Sequence, residues 1–140
     1  MKIQTRDFGE IEVQEKDLYT FVSPIYGFEN YKKFMFIKEA EISDKFVWLQ
    51  SVEEQDLCFI LTEQGEFATD YSPKISQDIV KLLGEGEYMC LVMVSLRNPL
   101  DKSTANLKSP IIINTKNNSA AQVVLEQDYP IRYPLFRKED

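Results

Sequence analysis

The chain has 140 residues, of which 44% are hydrophobic and 28% charged, the length of one domain with an ordinary folded composition, which argues against disorder. Sixteen basic against 23 acidic residues leave a net charge of −7, which repels a phosphate backbone or an anionic membrane and favours a basic partner. Histidine is absent, so a Ser-His-Asp or Cys-His site, a His-containing zinc site and a His general base are excluded.

Along the chain, residues 2–5 and 10–13 are the first strand-like segments. Lys2 and Arg6 are followed by Asp7, Glu10 and Glu12 instead of the apolar stretch of a secretory signal, which predicts a cytoplasmic location. Residues 33–37, 46–52 and 57–61 are β-branched and aromatic runs. Ser23-Pro24, Glu53-Glu54-Gln55-Asp56 and Glu63-Gln64-Gly65 mark turns. Residues 76–83 break the rhythm. Ser76 is placed to cap, Ile79, Val80 and Leu83 recur at helical spacing, and Gly84 follows, so this is a short helix covering an open end or face of the sheet.

Residues 88–96 are the longest apolar run, of strand length and well short of the roughly 18 residues that a membrane span needs. Residues 110–114 and 121–125 form a hairpin across the Asn-rich turn 115–119. Ile111-Ile112-Ile113 leaves no polar face, so that strand is central and covered on both sides. Pro130 and Pro134 keep residues 129–136 extended, an aromatic tail laid across the barrel. The fold expected for residues 1–140 is therefore mostly β, a single-domain antiparallel β-barrel or sandwich with one short helix.

Signals for chemistry are weak. Gly84-Glu85-Gly86 opens like a nucleotide fingerprint, but Met89 stands where the third glycine belongs and the segment ends a helix. Glu10, Glu12, Glu53, Glu54, Asp56, Asp70 and Asp101 occupy turns or polar strand positions, as solvated carboxylates do. Cys58 and Cys90 lie in apolar segments without C-x-x-C spacing and read as buried free thiols with no base to activate them. Lys32-Lys33 and Arg137-Lys138 are only pairs, so no basic face interleaved with aromatics forms for RNA. No catalytic residue, cofactor or metal site is expected.

The candidate binding residues lie in loops and at strand ends. In the loop from Thr104 to Lys108, Asn106 and Thr104 are suited to hold a turn through their own backbone, while Asn106 and Lys108 can project donors at a partner beside apolar Leu107 and Pro110. Asp70-Tyr71 either closes a corner or supplies an amphipathic anchor. Gln50-Ser51, at the exit of an apolar strand, has the same two readings, with the structural one favoured. Phe28 after Gly27 is expected in the core.

Residues 104–114, with 121–125, resemble the flagellar assembly factor FliW family. Further matches are Gly27-Phe28, Leu49-Gln50-Ser51, Asp70-Tyr71 and Tyr133-Pro134-Leu135-Phe136, while Pro130 and Pro134 stand where the family pattern leads one to expect polar residues. The resemblance implies a non-enzymatic cytoplasmic factor that binds newly made flagellin. Once flagellin is exported, such a factor captures CsrA, a small basic dimeric RNA-binding regulator, and lifts repression of flagellin translation. A monomer when free, without direct contact to nucleic acid or membrane, goes with that role. Composition alone also admits a chaperone for another secreted protein or a His-free enzyme.

Overall fold

The computed structural model describes residues 1–39, 45–63 and 70–135. In chain order the elements are β1 (Lys2–Gln4), β2 (Glu10–Glu12), β3 (Tyr19–Ser23), β4 (Lys33–Ile37), β5 (Phe46–Ser51), β6 (Cys58–Glu63), α1 (Gln77–Leu83), β7 (Tyr88–Ser95), β8 (Thr104–Ala105), β9 (Ile111–Asn114), β10 (Ser119–Gln122) and β11 (Tyr133–Pro134). Strands β3 to β7 pair in sequence, β3 also pairs with β10, β10 with β9, and β9 with β7. The sheet is thereby closed into a seven-stranded barrel. All these pairings are antiparallel except β3 with β10, which is parallel.

Alternation along the strands fills the interior with Phe21, Phe34, Leu49, Leu61, Leu91, Ile111 and Ile113, because successive side chains on a strand point to opposite faces. Ile112 points outward, yet it too is buried, among Leu83, Val92, Leu107 and Ala121. This second layer lies beneath α1, the β8 segment and the chain leading to β11. A third cluster sits where the β1–β2 hairpin lays Ile3 and Val13 over Met35, Ile37, Trp48 and Cys58. Covered on two outer sides, the barrel strands read as continuous apolar runs.

Eight strand segments expected from the sequence are present, with ends shifted by a few residues. Three are additional: β3, whose last residue had been assigned to a turn, and the two-residue pair β8 and β11. The expected strand at 121–125 ends at Gln122. Beyond it the chain keeps only its hairpin-side bonds, from Val123 N to Pro110 O and from Leu125 N to Lys108 O. Phe28 is not core: it is 37% exposed at the rim, edge-on to Phe59. Gln64-Gly65, Phe136 and Arg137-Lys138 lie outside the described residues.

The helix forms as its signals require. Ser76 Oγ accepts from Ile79 N, and Gly84 ends the helix at φ +80°, its N–H donating to Val80 O. Buried Asn114 then serves the helix terminus. Its Nδ2 donates to the carbonyls of Leu83 at 2.9 Å, Glu85 at 3.1 Å and Gly84 at 3.3 Å, and its Oδ1 accepts from Lys116 N. A Cβ at Gly86 would overlap the Asn114 side chain, so position 86 is glycine to admit this amide.

Asn114→Ala leaves Glu85 O and Lys116 N without this partner, removes one of two side-chain donors from Leu83 O and from Gly84 O, and empties a buried position; it should lower the unfolding free energy by about 2 kcal/mol. Urea denaturation checks this as a lower midpoint at unchanged slope. Asn117→Ala, which removes a second donor to the same Leu83 carbonyl from an exposed position, should cost less.

Candidate functional site

The 104–110 segment is tightly held. Thr104 and Ala105 pair with β7 on one side and β11 on the other. Asn106 Oδ1 accepts from the backbone N–H of Lys108 and of Ser109, both at 3.1 Å, an Asx turn that makes Asn106 a turn holder. Leu107 is only 2% exposed, packed in the layer under α1, and Pro110 is buried as well. Lys108 is half-buried and its Nζ donates to Gln127 O at 2.7 Å.

Tyr71 closes a corner. Its hydroxyl donates to Leu107 O at 2.7 Å and its ring stands edge-on to Tyr129. Burial raises the phenol above its ordinary 10.0, with smaller contributions from Cys90 and Tyr129. Asp70 beside it is exposed. Gln50 is 0% exposed: its Oε1 accepts from Arg6 N, and its Nε2 reaches the carbonyls of Ser51, Gln55 and Leu57. Ser51 Oγ accepts from the N–H groups of Glu53 and Glu54.

Of the eight residues grouped from the sequence as a contact surface, then, Gln50, Ser51, Tyr71, Leu107 and Pro110 turn their side chains inward. Distant chain supplies partners to Gln50 and Tyr71, through Arg6 and Leu107, while Ser51 caps the turn that follows it. Asn106, Lys108 and Asp70 keep accessible atoms.

The thiols are inert at neutral pH. Burial pushes Cys58 up to about 11, against a smaller downward pull from Arg6, and pushes Cys90 up to about 12. Both are free. No group of three or more His, Cys, Asp or Glu that could hold a metal ion occurs among the described residues. Among those residues, too, no helix is long and apolar enough to cross a membrane.

An open groove of about 860 Å³ lies elsewhere, between the loop after β3, the start of α1 and residues 122–127. It arises because the last pairing of β10 with β3 is Ala121 with Ser23, after a register shift, and Pro24 then leads the chain away. Tyr26 is 80% exposed and Val124 58%, with half-buried Ile75 and Ile79 on the opposite wall. Two glutamines tie the walls together. Gln122 Oε1 accepts from Tyr26 N, while Gln127 Oε1 accepts from Lys74 N and its Nε2 donates to Ser72 O. Glu29 and Glu126 add negative charge against Lys74. Glu29 accepts from Gly27 N, and this bond and one from its own backbone hold its carboxyl below the usual range.

Sequence reasoning missed this groove. Its signals were Pro24 directly after a β-branched aromatic run and the consecutive pair Val123-Val124, of which a strand can bury only one on a given face. The loop singled out from the sequence backs the groove through the Lys108–Gln127 bond.

A family model described as FliW protein matches residues 2–135. The chain is 42% identical over 139 residues to the flagellar assembly factor FliW of Exiguobacterium sp., covering 96% of this chain and 94% of that protein. It is 33% identical over 142 residues to the flagellar assembly factor FliW of Caldanaerobacter subterraneus subsp. tengcongensis, covering 99% and 95%. A crystal structure of the flagellar assembly factor FliW superposes with a TM-score of 0.92 at 31% identity, over 100% of both chains.

Asn106→Ala should cost about 1 kcal/mol through the lost turn bonds, whereas Lys108→Ala, with a half-exposed ammonium, should stay within about 0.5 kcal/mol; thermal unfolding separates the two. The pH dependence has a fixed sign. Cys58, Cys90 and Tyr71 all have raised values, so the folded state keeps protons that the unfolded chain releases. Their contribution is complete below the ordinary thiol value of 9.0 and is lost as pH rises toward the folded values of about 11 and about 12. Urea midpoints should therefore fall above about pH 9. A thiol reagent at pH 8 should label the folded chain at least about 100-fold more slowly than the unfolded one.

Proposed function

Because the chain belongs to the FliW family of flagellar assembly factors, we propose that it works by reversible protein binding in the cytoplasm: it holds newly made flagellin and, when flagellin is exported, captures CsrA. Repression of flagellin synthesis is thereby lifted. The observation that carries this reading is the groove, an apolar surface held open by bonds across its walls and flanked by carboxylates.

A preformed groove lowers the ordering cost of binding, which suits a flagellin terminus that is disordered until it docks. The net charge of −7 favours encounter with a basic regulator and makes its association rate sensitive to salt. Asn106, Lys108 and Asp70, the accessible members of the residues singled out from the sequence, lie outside the groove lining and are proposed as further polar contacts beyond it. The role asks for no catalysis, in keeping with thiols that stay protonated at neutral pH. The free chain acts as a monomer.

Partner switching requires that the two complexes overlap or that one weakens the other, and linkage makes the antagonism reciprocal. Added flagellin should therefore release CsrA from this protein, and added CsrA should release flagellin. Size-exclusion chromatography of the three proteins together checks this. A stable ternary complex with both affinities unreduced would contradict the switch, and a failure of both partners to bind would remove the reading altogether.

A further inference from the structure

We propose that the groove takes its protein partner as an added β-strand, hydrogen-bonded to the chain at Val124, and that the segment it accepts is extended, apolar at alternate positions and basic at one end. The proposal rests on the reading that this chain binds flagellin and states how the bound segment sits.

The backbone of residues 122–126 carries the argument. Val123 N donates to Pro110 O at 3.0 Å and Leu125 N to Lys108 O at 2.9 Å. In an extended chain these groups alternate in direction, so the N–H and C=O of Val124 point away from the hairpin and toward the groove. Strand β3 would have covered them had it continued. It ends at Ser23 after the register shift between Ala120 and Ala121, and neither backbone group of Val124 has a partner among the described residues. An open edge of this kind is a template for a further strand, and natural proteins usually blunt one that has no use.

The surroundings fit an extended occupant. Val123 and Leu125 face the layer that includes Ile75 and Ile79, so one set of alternate side chains on an added strand meets those isoleucines and the other set meets exposed Val124. Tyr26 stands in the same groove. Glu29 and Glu126 outnumber Lys74 there, which favours a lysine or arginine in the incoming segment. A docked helix would satisfy its own backbone internally and leave Val124 bare, which makes the two binding modes distinguishable.

The test follows backbone amide hydrogen exchange of the full chain by NMR, free and saturated with full-length monomeric flagellin. Exchange at Val124 should slow at least tenfold on binding. Val124→Pro, which removes the donor without touching a bond made within the chain, should bind at least tenfold more weakly, and Val124→Ala, which keeps the donor, should lose less. If the proline variant does not fold, the exchange measurement on the unaltered chain decides. Flagellin binding with Val124 exchange unchanged overturns strand addition and leaves the proposed function standing. No flagellin binding at all overturns both. Protection of Val124 in a concentration-dependent dimer without flagellin means that the edge serves a second copy, and overturns the occupant named here.

Discussion

The double pairing of β9 is the constraint on which the rest of the structure depends. It hydrogen-bonds β10 on one side and β7 on the other, and this closes the barrel. Three consecutive isoleucines suit a strand covered on both faces, but they leave its register poorly specified, since a slip of one residue would still place isoleucine on either side. Asn114 removes that freedom. Its amide finds donors and acceptors only where the helix carbonyls of Leu83, Gly84 and Glu85 converge, and burying it anywhere else would leave it unpaired. The turn adds a second pin: Asn118 adopts φ +58° and donates from Nδ2 to Lys16 O and Leu18 O at the start of β3.

Closure then decides what remains available for binding. Two outer layers cover much of the barrel, and the N-terminal hairpin is clamped down by Arg6, whose Nη1 donates to Cys58 O while its backbone N–H meets Gln50 Oε1. Among the described residues no buried side-chain nitrogen or oxygen lacks a hydrogen bond, so the interior is a finished structure. A barrel has no edges where its strands stay paired. The departure of β3 at Pro24 reopens one, and the groove lies there.

What was legible in the sequence was local. The alternating and apolar runs, the capped helix at Gln77–Leu83 and the two-sided burial of Ile111-Ile112-Ile113 all follow from periodicity and end signals carried within a few residues. The parallel pairing of β3 with β10 was not legible, because it joins segments from opposite ends of the chain and no local pattern encodes it. Strands of two residues such as β8 and β11 carry no period at all. The same limit applies to the site. Tyr71 could equally close a corner or anchor a partner and Gln50 was favoured as structural, but the sequence could not show that Leu107 and Arg6, distant in the chain, are what close over them. The groove is assembled from three separated segments, so only Pro24 and the Val123-Val124 pair hinted at it.

The segment most distinctive in the sequence nevertheless bears on the groove, from behind. Asn106 fixes the backbone of Lys108 and Ser109. The carbonyl of Lys108 accepts from Leu125 N, and its ammonium donates to Gln127 O. Gln127 in turn holds Lys74 and Ser72 on the opposite wall. The loop thus sets the position of the strand edge at residues 122–127, and through Gln127 the spacing between the walls. Residues 104–110 can matter to binding without touching a partner: loosening them would cost affinity through a less ordered groove. Loss of a direct contact would instead leave the edge in place and remove only one side chain from the interface.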